Sequence, residues 1–119
     1  MNHSVVISLA SNQDQELHLA EAQRRLALLL QVCKYTAAIW TNPISAKRSS
    51  QYLNQLLYAE TELSCEQLEQ SLKNIEIELG RKPEDREHGI VCIDLDLMRY
   101  DDKRYHVADW ERDYIKKLL

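Results

Sequence analysis

The 119-residue sequence predicts an α+β fold of ferredoxin-like order, βαββαβ, with an antiparallel sheet and two helices on one face. Three observations predict it. Short runs rich in β-branched and aromatic residues alternate with two long stretches whose apolar residues step by three and four. No Gly or Pro interrupts the first of these stretches. A capping box opens the second, and Gly80 closes it.

Val5-Val6-Ile7-Ser8-Leu9 is a buried strand that stops at the polar cluster Ser11-Asn12-Gln13-Asp14. From about Gln15 to Val32 the residues Leu19, Ala22, Leu26, Leu29 and Leu30 mark one face of a long amphipathic helix. Tyr35 to Thr41 is a second strand. Asn42-Pro43 ends it, because proline has no N–H for a ladder and pushes the residue before it out of the helical region. A polar loop over 45–50 leads to a third, half-exposed strand from Tyr52 to Leu63, with Leu57, Ala59, Thr61 and Leu63 on one face. Ser64 with Gln67 caps a second helix carrying Leu68, Leu72, Ile75 and Leu79, and Gly80 supplies its C-terminal cap. After the charged loop Arg81 to His88 comes "GIVCIDLDLMRY", residues 89–100, the last strand.

The length suits one domain, residues 1–119, and 45% hydrophobic with 29% charged residues is the composition of a folded globular chain. Its apolar runs are too short to span a bilayer, and Met1-Asn2-His3-Ser4 has no basic leader, so a cytoplasmic, unanchored protein is expected. Cys33, Cys65 and Cys92 are odd in number and scattered, which argues for free thiols over disulfides or zinc. A net charge of −4 gives no general attraction to nucleic acid or anionic lipid, and the strands lack the aromatic pair and basic surface of RNA-binding modules. The histidines show no metal-ligand spacing. Trp40 and Trp110 read as packing residues.

Asp94 and Asp96 are the feature that the fold does not explain. Side chains at i and i+2 of a strand share a face, with roots about 6.5–7 Å apart, so the two carboxylates can converge on hard cations such as Mg²⁺. Taken alone, the pair also fits solvated acids on a half-exposed edge strand.

The stretches "ISLASNQ", "TNPISAKRSSQYLNQ", "NIEIELGRK" and "IDLDLMRY", in this order and spacing, resemble the 6-hydroxymethyl-7,8-dihydropterin pyrophosphokinases of folate biosynthesis. The resemblance implies transfer of the β,γ-pyrophosphoryl group of ATP to the hydroxymethyl oxygen of a reduced pterin, with release of AMP. It implies Asp94, Asp96 and Arg81 as catalytic residues, the two aspartates holding two Mg²⁺ ions on the ATP. It puts Glu76, Leu97, Arg112 and His106 at the nucleotide, and Thr41, Pro43, Ile44, Asn54 and Tyr114 at the pterin. Read without it, Asn54 is a strand-start residue, Pro43 a strand terminator, and Glu76 and Arg81 solvated helix-end charges.

The sequence also departs from the family pattern. Val91 stands where the family has an arginine, His88 where it has an aromatic, and the loop carries the acids Glu84, Asp85 and Glu87. Replacement counter-charge for a nucleotide would have to come from Lys47, Arg48, Lys82 or Arg86. The segment after the metal strand is short. One alignment matches both His106 and Arg112 to nucleotide contacts; the preferred one needs no gap after the strand, keeps Arg112 and leaves His106 as a surface residue. A shortened C-terminal end leaves sheet surface that a homo-oligomer could cover. The expected function is an ATP- and Mg²⁺-dependent pterin pyrophosphokinase, and the alternative is a catalytically impaired relative that binds a pterin or a partner protein.

Overall fold

A computed structural model describes residues 2–43 and 50–119. Strands β1 (His3–Ser11), β2 (Gln31–Tyr35), β3 (Ile39–Thr41), β4 (Tyr52–Thr61), β5 (Asp94–Tyr100) and β6 (Lys103–Arg104) form one sheet in the order β2-β4-β1-β5-β6, with β3 also paired to β4. Every pairing is antiparallel. Helices α1 (Gln15–Leu26) and α2 (Cys65–Glu78) cover one face, and a short α3 (Asp113–Leu118) packs on the other. The α+β, ferredoxin-like architecture expected from the sequence is therefore present, with additions at its end.

The two-residue period of β1 divides the molecule. Val5, Ile7 and Leu9 point into the main core with Leu19, Ala22 and Leu26 of α1 and Leu68, Leu72 and Ile75 of α2. Val6 points the other way, into a smaller cluster with Leu56, Met98, Trp110, Ile115 and Leu118. A strand buried on both faces must be central, and β1 lies between β4 and β5.

Helix α2 shows why local chemistry decides an element's ends. Ser64 Oγ accepts from the Gln67 N–H at 3.2 Å while Gln67 Oε1 accepts from the Ser64 N–H at 3.0 Å, completing the capping box. At the other end Gly80, at φ +107°, turns the chain left-handed. The Gly80 N–H reaches the Ile77 carbonyl and the Arg81 N–H the Glu76 carbonyl, both at 3.0 Å. This double closure sets Arg81 directly beyond the helix.

Three expectations are corrected. Helix α1 ends at Leu26 and not Val32, because Leu30 is buried in the main core and Gln31 already pairs with Glu60 of β4. The run from Tyr35 to Thr41 divides into the end of β2 and β3, where the Thr36 hydroxyl accepts the Leu56 N–H at 3.0 Å and replaces a ladder bond. The strand at 89–100 starts only at Asp94. On the second sheet face the turn Val107–Glu111 and α3 pack on Val6, Leu56 and Met98 and leave the rest of that face open.

The two tryptophans part company. Trp40 is 48% exposed, against the expected packing role, whereas Trp110 is buried and donates from Nε1 to the carbonyls of Tyr105 (3.1 Å) and Met98 (3.3 Å). The Arg104 guanidinium lies 4.2 Å from the Trp110 ring centre. Among the described residues, no helix is long and apolar enough to cross a membrane, and all three cysteines are free. Trp110→Ala should destabilise the protein by about 3–5 kcal/mol in chemical denaturation, whereas Trp40→Ala should cost roughly 0.5 kcal/mol or less.

Candidate active site

Beyond the part of the second face that α3 covers, the sheet is the floor of a cavity of ≈ 880 Å³. Register assembles that floor. Asn54 on β4 pairs with Ala10 on β1, and Ala10 pairs with Asp94 on β5; one step along, Ser8 pairs with Asp96. Asn54 and Asp94 are thus two strand spacings apart, about 10 Å. Between them stand only the small side chains of Ala10 and Ser8, which leave the space above the sheet open. The alternation that aims Asp94 and Asp96 at the cavity aims Leu95 and Leu97 into the main core.

Arg81 joins the end of α2 to the start of β5. Its Nη1 lies 3.0 Å from Glu76 Oε2, and donates to Asp94 Oδ1 at 3.1 Å and to the Ile93 carbonyl at 3.3 Å. Glu76 Oε2 also accepts the Leu95 N–H at 2.7 Å. That bond matters because β6 covers β5 only at Arg99 and Tyr100, so the carboxylate substitutes for a missing neighbouring strand. Glu76 and Arg81 are therefore not solvated helix-end charges.

Asn12, at the end of β1, fixes the loop on the other side of the cavity. Its Nδ2 donates to the Gly89 carbonyl (2.8 Å), its Oδ1 accepts the Val91 N–H (2.7 Å), and its own N–H reaches the Val91 carbonyl (2.9 Å). Burial of this amide makes those bonds obligatory. Asn54 is likewise buried, with Nδ2 donating to Thr41 Oγ1 at 2.8 Å and to the Ile39 and Tyr52 carbonyls. Among the described residues its side-chain bonds are all donated from Nδ2, and Oδ1 accepts none.

The floor is electrostatically unfinished. Burial, then the neighbouring Asp94, push the Asp96 carboxyl up to about 7, even though His106 Nε2 stands 3.8 Å from Asp96 Oδ1. Burial also raises Glu76 against the opposing pull of Arg81 and the Leu95 N–H. Two adjacent carboxylates short of positive charge suit a divalent cation. Among the described residues no three His, Cys, Asp or Glu side chains form a cage, so any ion must draw further ligands from substrate or water, as Mg²⁺ does.

Of the residues expected from the sequence, Asp94, Asp96, Arg81, Glu76, Arg112, Thr41, Pro43, Asn54 and Tyr114 all line this cavity. Arg112 lies across the Tyr114 ring, 5.3 Å from its centre, and 3.7 Å from Asp109. The Leu97 side chain is in the main core on the opposite face and does not line the cavity. His106 is exposed at the rim, close to Asp96 without lining the cavity. Ile44, with Lys47 and Arg48, lies outside the described residues. Asn12, Lys73 and Asp109 were missed. Lys73 carried a readable signal, since it stands three residues before Glu76 and hence on the same side of α2. Glu76→Ala should cost about 1–3 kcal/mol in denaturant unfolding, because it strands both the Leu95 N–H and Arg81, and Glu76→Gln should recover part of that loss.

Comparison with known proteins agrees with this geometry. The sequence pattern of the 7,8-dihydro-6-hydroxymethylpterin-pyrophosphokinase family matches residues 6–119. A mitochondrial folate synthesis bifunctional protein of Arabidopsis thaliana is 28% identical over 123 residues, covering 95% of this chain and 22% of that protein. A second folate synthesis bifunctional protein from the same plant is 26% identical over 121 residues, covering 93% of this chain and 25% of its own length. The chain thus spans about a quarter or less of these relatives. A match over nearly every residue, with the paired aspartates and Asn54 on one cavity floor, establishes that the chain belongs to the 7,8-dihydro-6-hydroxymethylpterin-pyrophosphokinase family.

Proposed function

We propose that this chain transfers the β,γ-pyrophosphoryl group of MgATP to 6-hydroxymethyl-7,8-dihydropterin in folate biosynthesis. The observation that carries the reading is the row Asn54–Ala10–Asp94 across the cavity floor. Its span of about 10 Å separates a hydrogen-bonding end from an anionic end by roughly the length of a bicyclic ring and a hydroxymethyl arm. At the first end, Asn54 Oδ1 accepts from the pterin's amine or amide edge, with Thr41, Pro43 and Tyr114 around the ring. At the second, Asp94 and Asp96 hold two Mg²⁺ ions, and Arg112 faces the nucleotide.

In the reaction the hydroxymethyl oxygen attacks the β-phosphorus, the bond from that phosphorus to the α,β-bridging oxygen breaks, AMP leaves, and the hydroxyl proton passes to solvent. Bound Mg²⁺ supplies neutralisation of the charge on the phosphates. The residues of the chain position the two substrates, which is most of what phosphoryl transfer asks of a protein. Arg81 acts on Asp94, holding one carboxylate oxygen so that the other faces the cavity.

A second reading, a catalytically impaired relative that keeps the pocket as a pterin-binding or partner protein, is favoured by one observation: Val91 lines the cavity and brings no charge to it. The cytoplasmic location expected from the sequence belongs to the first reading, and cell fractionation checks it.

The deciding experiment is AMP release from ATP and Mg²⁺, with and without the reduced pterin. Pterin-dependent AMP that falls by about 100-fold or more in an Asp94→Ala, Asp96→Ala variant is the expected result. A folded wild type that makes no AMP above background but still binds the pterin would favour the second reading.

A further inference from the structure

Building on the transfer reading, we infer that Arg86, flanked by Lys73 and Lys82, is the cationic wall that grips the polyphosphate chain of the nucleotide. The four carboxylates that line the cavity are Glu76, Asp94, Asp96 and Asp109. Arg81 is committed to Glu76 and Asp94, and Arg112 to Asp109. Lys73, Lys82 and Arg86 also line the cavity, are exposed, and form no ion pair among the described residues. The site therefore has an anionic floor on β5 and an uncommitted cationic wall on α2 and the loop after it. A polyanion carrying divalent cations satisfies both at once.

Loop geometry makes Arg86 the central residue. Pro83–His88 is a 3₁₀ helix, in which side chains three apart lie above one another. Pro83, Arg86 and Gly89 form one edge, and all three line the cavity. Glu84 and Glu87 form another edge, which does not. Asp85 is turned to the loop's own start, where Oδ2 accepts the Lys82 N–H at 3.3 Å. The acids that crowd this loop in the sequence are thereby sorted away from the ligand, and its arginine is sorted toward it. Asn12 anchors the loop at Gly89 and Val91, so the register is held from β1.

The test is calorimetric binding of the α,β-methylene analogue of ATP with excess Mg²⁺ to the wild type, Arg86→Ala, Arg86→Glu and Glu87→Gln proteins, each shown to be folded by circular dichroism. The wild type should bind, Arg86→Glu should raise Kd about tenfold or more, and Arg86→Ala should fall between them. Glu87→Gln, the same loop's other edge, should stay within about twofold. Wild-type affinity in Arg86→Glu would overturn the wall. So would a Glu87→Gln effect as large as that of Arg86→Ala, since net charge and not direction would then be at work. A folded wild type that binds no Mg²⁺-nucleotide would overturn the transfer reading and this inference with it.

Discussion

The site depends on Arg81. A helix end, a strand start and a carboxylate pair have to meet within a few ångströms, and one guanidinium does the joining through Glu76, Ile93 and Asp94. Its position follows from Gly80, whose left-handed backbone ends α2 with two closing hydrogen bonds and leaves Arg81 as the next residue. A residue with a Cβ at Gly80 meets no neighbour, so the glycine is required by its φ and not by space. Glu76 then does two things with one carboxylate. It orients Arg81 and fills the unpaired edge of β5, which keeps Asp94 and Asp96 in the strand that aims them.

Around that junction the cavity sorts charge by position more than by amount. The chain is net acidic, and its most charged loop holds three acids and one arginine between Pro83 and His88. The 3₁₀ register nevertheless turns Arg86 inward and Glu84 and Glu87 away from the cavity. On the floor the reverse holds, where burial and proximity leave Asp96 protonating near neutrality in the absence of a cation. A floor with an excess of carboxylates and a wall with unpaired cations are complementary to a metal-bound polyphosphate.

Much of this was legible in the sequence. The capping box at Ser64, the apolar ladder from Leu68 to Ile75 and Gly80 marked α2 closely, because each signal there is local. Asp94 and Asp96 were legible as a pair from the two-residue strand period. The same period puts the Leu97 side chain on the opposite face, in the main core. Other features needed tertiary information. The end of α1 at Leu26 is decided by Leu30 entering the core, with no Gly or Pro to announce it. Helix α3 is six residues long, too short for periodicity to mark, and it takes its stability from Trp110, Ile115 and Leu118 packing on the sheet. The direction of the charges over 83–88 was hidden because composition counts charges without orienting them.

The central claim is that the two aspartates form the cation end of a floor whose other end is Asn54. Its most direct test is NMR of the labelled protein with Mn²⁺ substituted for Mg²⁺ and the α,β-methylene nucleotide added. The account predicts paramagnetic broadening centred on the amides of Ser8, Ala10, Asp94 and Asp96, weaker at Asn54, and absent at Val32 on the far sheet edge. Broadening centred away from β1 and β5, or none at saturating Mn²⁺ and nucleotide, would contradict it.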